Sequence, residues 1–113
     1  MSRRTDELYI HDIVESIEHI ESFIHGLTFD TFSRDAKSIH AVVRCIEIIG
    51  EASVHVSEEY RKSHALILWK RMIGMRNKMI HEYFGINMEH VWNTIEEDLP
   101  SLKEKIRSLL DDQ

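Results

Sequence analysis

An all-α fold, an antiparallel bundle of four to five helices, is predicted by three observations. The 113 residues hold one Pro and four Gly and are rich in Leu, Ile, Glu and His. Ile10, Ile13, Ile17, Ile20 and Ile24 recur at alternating spacings of three and four, which places one apolar stripe along a helix. A second stripe of the same period, Ile39, Val42, Val43, Ile46, Ile49 and Val54 with Gly50 among them, follows after a short connector. Two amphipathic helices joined so briefly suit an antiparallel pair.

The elements follow in chain order. The first helix should run from about Asp6 to His25, with Gly26 as its stop. Leu27 to Phe32 reads as a connector, with Ser33 as cap and Asp35 in the first turn of a second helix reaching about Ser57. Gly50 within it reads as a point of close helix contact. Glu58 to His64 is a polar connector. A third helix carries Leu68, Trp69, Met72, Ile73, Met79 and Ile80, and Gly74 weakens its middle by about 1 kcal/mol relative to Ala. Gly85-Ile86-Asn87 ends it, and Asn87 caps a fourth helix bearing Met88, Val91, Trp92 and Ile95. Asp98-Leu99-Pro100 should break and restart the chain, because Pro suits a helix's first turn and not its interior. Leu99, Leu102, Ile106, Leu109 and Leu110 then form a final short helix. Without repeats, low-complexity tracts or a linker, residues 1–113 are expected to form a single domain around one small core.

Composition narrows the setting. The lone cysteine, Cys45, excludes an internal disulfide, fits a reducing compartment and reads as a structural residue. No stretch approaches the roughly 18 apolar residues of a membrane span, and the segment after Met1 leads into an amphipathic helix and not a signal-peptide core. The expectation is a soluble, cytoplasmic protein with no membrane partner.

Charge is distributed unevenly. Between Tyr60 and His81 stand Arg61, Lys62, Lys70, Arg71, Arg76 and Lys78, with no Asp or Glu. The rest of the chain carries 8 of the 14 Lys and Arg and all 20 acidic residues. An acidic chain that gathers its positive charge around a titratable His has a local anion site and not a generally adhesive surface.

Within that segment lies Arg76-Asn77-Lys78-Met79-Ile80-His81-Glu82-Tyr83. With eight Arg and eight His in the chain, chance gives about 0.6 Arg-x4-His pairs, so the spacing alone decides nothing. Requiring Tyr two residues later lowers the chance to about 0.015. On an ideal helix Asn77 and His81 share a face, Arg76 and Tyr83 differ by about 20°, and Arg76 and His81 stand about 140° apart. Arg76 and His81 therefore converge only if the helix loosens near His81 or a second chain supplies the counterpart. Metal-free RNA cleavage needs a base for the 2'-hydroxyl, an acid for the leaving 5'-oxygen and a cation for the phosphorane-like charge. One imidazole cannot readily be both acid and base in a turnover, whereas a two-fold dimer supplies two His81 and two Arg76.

The Arg-x4-His-x-Tyr stretch, with Asn after the Arg, resembles the nuclease motif of HEPN ribonucleases as it occurs in HepT-like toxins. Residues 41–52, Ala41-Val42-Val43-Arg44-Cys45-Ile46-Glu47-Ile48-Ile49-Gly50-Glu51-Ala52, are similar to that family's second-helix signature. Phe84 to Asn87, Val91-Trp92 and Glu97-Asp98-Leu99-Pro100 agree as well. The resemblance covers nearly the whole chain, best over 39–53 and 68–100. It implies a homodimeric, metal-independent endoribonuclease toxin, silenced by a small nucleotidyltransferase-fold antitoxin of the MntA type with which it assembles into a larger complex. It also implies AMP transfer to Tyr83, where added bulk and negative charge would exclude an RNA phosphate.

On this reading His81 is base or acid, Arg76 carries transition-state charge, Asn77 orients the phosphate or His81, and Lys70, Arg71 and Lys78 hold RNA without reading bases. The same residues also suit a non-catalytic helical partner of a nucleotidyltransferase that presents Tyr83 without cutting RNA. Trp69 and Trp92 read as core anchors. Arg44, Glu47 and Glu51 either brace the His81 helix as a buried ionic network or face solvent. Glu15 and His19, Glu21 and His25, and Glu51 and His55 are each four apart, but no Glu-x-x-His occurs, so neither a metal nor another cofactor is expected.

Overall fold

The two isoleucine- and valine-rich stripes close on each other. The computed structural model describes residues 5–81 and 87–111, with side chains for all of these except 78–81. Among the described residues α1 spans Asp6–Ile24, α2 Phe29–Ser33, α3 Ala36–His55, α4 Glu58–Ser63, α5 Trp69–His81, α6 Met88–Asn93 and α7 Leu99–Asp111. A π-helical segment, Thr94–Asp98, joins the last two. The all-α expectation holds, with α1, α3, α5 and α7 as the long members.

Ile10, Ile13, Ile17 and Ile20 of α1 and Val42, Ile46 and Ile49 of α3 are all fully buried, each contributing about 1.5–3 kcal/mol through burial. The α1–α3 pair runs antiparallel. Asp6, at the start of α1, accepts hydrogen bonds from the Ser57 backbone N–H at 2.8 Å and the Ser57 hydroxyl at 2.7 Å, just beyond the end of α3. The contacts of α3 with α5 run the opposite way along the two chains: Gly50 lies against Arg76, and the Ser53 hydroxyl meets Met72 Sδ at 3.7 Å. That pair is antiparallel too. Met72, Met75 and Trp69 turn into the core, while α7 closes the other side of α1 through Leu99, Ile106 and Leu109.

Gly26 takes φ +80°, the left-handed conformation expected of the residue that stops α1. The cap of α3 is Asp35 and not Ser33. Its carboxylate accepts from the Ser38 hydroxyl at 2.8 Å and the Ser38 N–H at 3.4 Å, which holds the Asp35 carboxyl below the usual aspartate range. The supposed connector before it contains α2, closed by a reciprocal Thr28–Thr31 capping box. The polar stretch after α3 likewise coils into α4, capped by Ser57 and with Glu58 and Glu59 at its start and Arg61 and Lys62 at its end. That charge order suits the helix dipole.

Pro100 does not break the chain. Leu99 donates to Thr94 O, five residues back, so the helix widens into the π-segment just before the proline. The wider turn relieves the collision that a proline ring makes with the carbonyl four residues earlier. Leu68 also departs from expectation: it is 54% exposed ahead of α5, and Ile67 takes the core position.

Candidate functional site

The site is built on α5. Trp69 anchors its N-terminal end, buried and donating its indole N–H to His64 O at 3.1 Å. Trp92 is partly buried, with its ring against Phe32 and Phe29.

Gly50 seats Arg76. A Cβ at Gly50 would overlap Arg76 Cβ and stand 3.0 Å from both Arg76 Cγ and the Met72 carbonyl oxygen. Close approach of the two backbones therefore depends on the missing side chain, and it fixes the stem of Arg76 at the α3–α5 contact. From that half-buried base the guanidinium turns outward, its Nη1 donating to Asn77 Oδ1 at 3.3 Å. Asn77 stands about 100° around the helix from Arg76 and His81 about 140°, so this hydrogen bond carries the cation toward the face that holds position 81.

His81 is the last residue of α5, and the helix does not loosen before it. The side chains of Lys78 and His81, assigned to RNA binding and to acid or base chemistry, lie outside the described side chains. Tyr83, the AMP acceptor implied by the resemblance, lies outside the described residues. Lys70 is exposed and lines a shallow groove of about 500 Å³ with Arg61, Lys62, Ile67, Leu68 and Trp69. Arg71 points elsewhere and pairs with Asp98 of the π-segment at 2.8 Å.

Of the two readings open for α3, solvent exposure holds for Arg44 and Glu51. Arg44 is 64% exposed and lies 3.6 Å from Glu47, an exposed-type pair of small energetic weight, and both Arg44 and Glu51 line a groove toward α1 with Tyr9, Asp12 and His55. Burial pushes the Cys45 thiol up, against a weaker opposing pull from Arg44, which suits an inert packing residue.

From the sequence alone the groove cations Arg61 and Lys62 and the anionic partner Asp98 receive no individual role at the site. Their signal was present only as the acid-free run for the first two; nothing in the sequence pairs Asp98 with Arg71.

Fold and site define the class, a helical bundle in which, among the described residues, the long acid-free helix α5 carries Arg76 seated against a glycine of its neighbour and ends at position 81. Comparison with known proteins makes the assignment specific. The family model "Ribonuclease HepT-like" matches residues 13–109. A Thermococcus cleftensis protein named a probable ribonuclease HepT is 43% identical over 107 residues, 95% of this chain and 97% of that one. A Caldanaerobacter subterraneus protein named a candidate RNase is 36% identical over 107 residues, 95% and 96% of the two chains. A Methanocaldococcus jannaschii protein named a gamma-glutamylcyclotransferase and candidate RNase is 36% identical over 110 residues, 97% of this chain and 50% of that longer one. No solved structure matches. The chain belongs to the ribonuclease HepT-like family. Among the described residues no helix is long and apolar enough to cross a membrane.

Proposed function

We propose that the chain is a metal-independent endoribonuclease acting as the toxin of a cytoplasmic toxin–antitoxin pair, as a single-domain homodimer. The observation that carries this reading is the seating of Arg76 by Gly50 within the acid-free helix that ends at His81. Family membership supports it.

In the proposed reaction a base removes the 2'-hydroxyl proton, the 2'-oxygen attacks phosphorus, the P–O5' bond breaks and an acid protonates the departing 5'-oxygen. The product is a 2',3'-cyclic phosphate. Arg76 stabilises the charge on the phosphoryl oxygens and Asn77 holds its guanidinium and the phosphate in register. His81 of one protomer serves as base and that of its partner as acid, a division that suits two sites about 140° out of phase on one straight helix. Lys70 and Lys78 hold the RNA backbone; Arg71, already occupied by Asp98, contributes least.

Control is proposed to act at Tyr83. Its oxygen attacks the α-phosphate of ATP on the antitoxin, a nucleotidyltransferase, pyrophosphate leaves, and the added phosphodiester charge excludes RNA.

The test is cleavage of RNA by the purified protein in excess chelator. His81→Ala should abolish it, and dimers mixing wild-type with His81→Ala chains should lose most of it. Persistence of cleavage in His81→Ala, or a fully active monomer in sedimentation, defeats the composite site. Tyr83→Phe should retain cleavage and escape modification by the cognate nucleotidyltransferase with ATP and Mg²⁺. A protein that is adenylated but never cuts RNA is a binding partner and not a nuclease.

A further inference from the structure

Among the described residues nothing packs against Gly74. It sits inside α5 with a φ that any residue adopts, it is exposed, and a Cβ built on it meets nothing within 4 Å among the described residues. Gly50 is needed for helix contact and Gly26 for a left-handed turn; Gly74 serves neither purpose, yet forgoes helix propensity. A helical glycine with open space outside it suits something that approaches the backbone from without.

Its neighbours on the helix surface indicate what that is. Positions 70, 74, 77 and 81 fall within an arc of about 60°, on the side of α5 opposite the buried Trp69, Met72 and Met75. Lys70 and Asn77 are exposed there, and no carboxylate occurs anywhere in α5. At the Lys70 end the stripe runs into the groove lined by Arg61 and Lys62. Among the described residues Glu58 is the acid lining that groove, and it pairs with Lys62 at 3.2 Å, which leaves Arg61 and Lys70 as the principal cations. From position 70 to position 81 the stripe is about 16 Å long.

We propose that this stripe, Lys70–Gly74–Asn77 continued into the Arg61 groove, is a track for single-stranded RNA flanking the scissile bond. At Gly74 the absent side chain lets a phosphodiester lie against the helix. The choice of RNA rests on the ribonuclease reading above. The acid-free cationic lining from position 70 to position 77 suits a polyanion as occupant, while the composite site brings a second chain only to the position 81 end of the stripe. The contacts are to phosphate and the exposed side chains are few, so the track holds RNA without selecting sequence.

A 2'-O-methyl single strand of about twelve nucleotides cannot be cleaved by 2'-hydroxyl attack and reports binding alone by fluorescence anisotropy. Gly74→Gln should weaken its binding about tenfold or more while leaving the melting temperature at or above the parent's, since Gln is the better helix former. Lys70→Ala and Arg61→Ala should each weaken binding several-fold and flatten the dependence of log K on log salt by about 0.7. Lys37→Ala, an exposed lysine far along the chain, should change neither. Binding by Gly74→Gln as tight as the parent's overturns the track. So does conversion of a dimer to a monomer by Gly74→Gln in sedimentation equilibrium, which would assign the face to a second copy. If the parent cuts unmodified RNA while the Lys70, Gly74 and Arg61 variants bind normally, the track fails and the nuclease reading stands; if these variants lose binding but the parent cuts no RNA, the reverse holds.

Discussion

Gly50 and Gly74 lie in neighbouring helices, neither with a positive φ, and they face opposite sides of the same contact. At Gly50 an added Cβ would collide with the stem of Arg76 and the Met72 carbonyl; at Gly74 it would meet none of the described residues. The inner glycine is a packing requirement that also positions a functional cation. The outer one leaves room for a ligand. Residue type alone does not distinguish them, and the difference teaches that a helical glycine has meaning only relative to what stands 4 Å beyond its Cα.

The largest effect expected is on the product of the inner contact. Arg76→Ala should lower RNA cleavage by about a hundredfold or more with unchanged helix content, because Ala keeps the Cβ that meets Gly50 and the helix propensity while removing the guanidinium and the rest of the stem. Circular dichroism alongside a cleavage assay checks this; a fully active Arg76→Ala protein would detach the α3–α5 contact from catalysis.

Gly50→Ala should both destabilise and inactivate. The overlap is with a Cβ and a backbone carbonyl, neither of which can swing aside. Overpacking of about 1–3 kcal/mol should therefore exceed the gain of about 1 kcal/mol in helix propensity. The melting temperature should fall by roughly 5 °C, and cleavage should fall with it as Arg76 is displaced.

Gly74→Ala carries the opposite sign. With nothing to collide with, Ala should add up to about 1 kcal/mol and raise the melting temperature by about 4 °C, without improving RNA affinity. A thermal melt of both glycine variants is the sharpest single test, since equal signs would remove the contrast between the two faces.

The smallest effect lies far from both. Hydrogen bonds from the Ser38 hydroxyl and then the Ser38 N–H lower the folded-state pKa of Asp35, so the cap favours folding fully above the unfolded aspartate value. This contribution fades as pH falls through the lowered folded value. Asp35→Asn should therefore reduce the slope of melting temperature against pH in the acid range, while leaving the glycine contrast intact at neutral pH.

What the sequence by itself determined is periodic or local. The Ile10 to Ile24 stripe, the stop at Gly26, the Asn87 cap and the acid-free run are each readable because their cause lies within a few residues. Asn87 accepts from the His90 N–H at 3.0 Å, as its position before a helix requires. The Arg-x4-His-x-Tyr spacing was readable for the same reason, and it led to the right family. Short helices were not readable: α2 buries a single side chain, Phe32, and α4 none, too little for a periodic signal, and caps and charge order set their bounds. Pro100 was misread as a break because a proline's cost was reckoned for a regular α-helix, whereas the π-segment before it changes which carbonyl it faces.

Tertiary structure alone decided the rest. Asp6 meets Ser57 across 51 positions of sequence, Arg71 is taken by Asp98, and Gly50 rather than Gly74 receives Arg76. Such pairings depend on how two helices cross and in what register, a property of packed surfaces that no single segment contains.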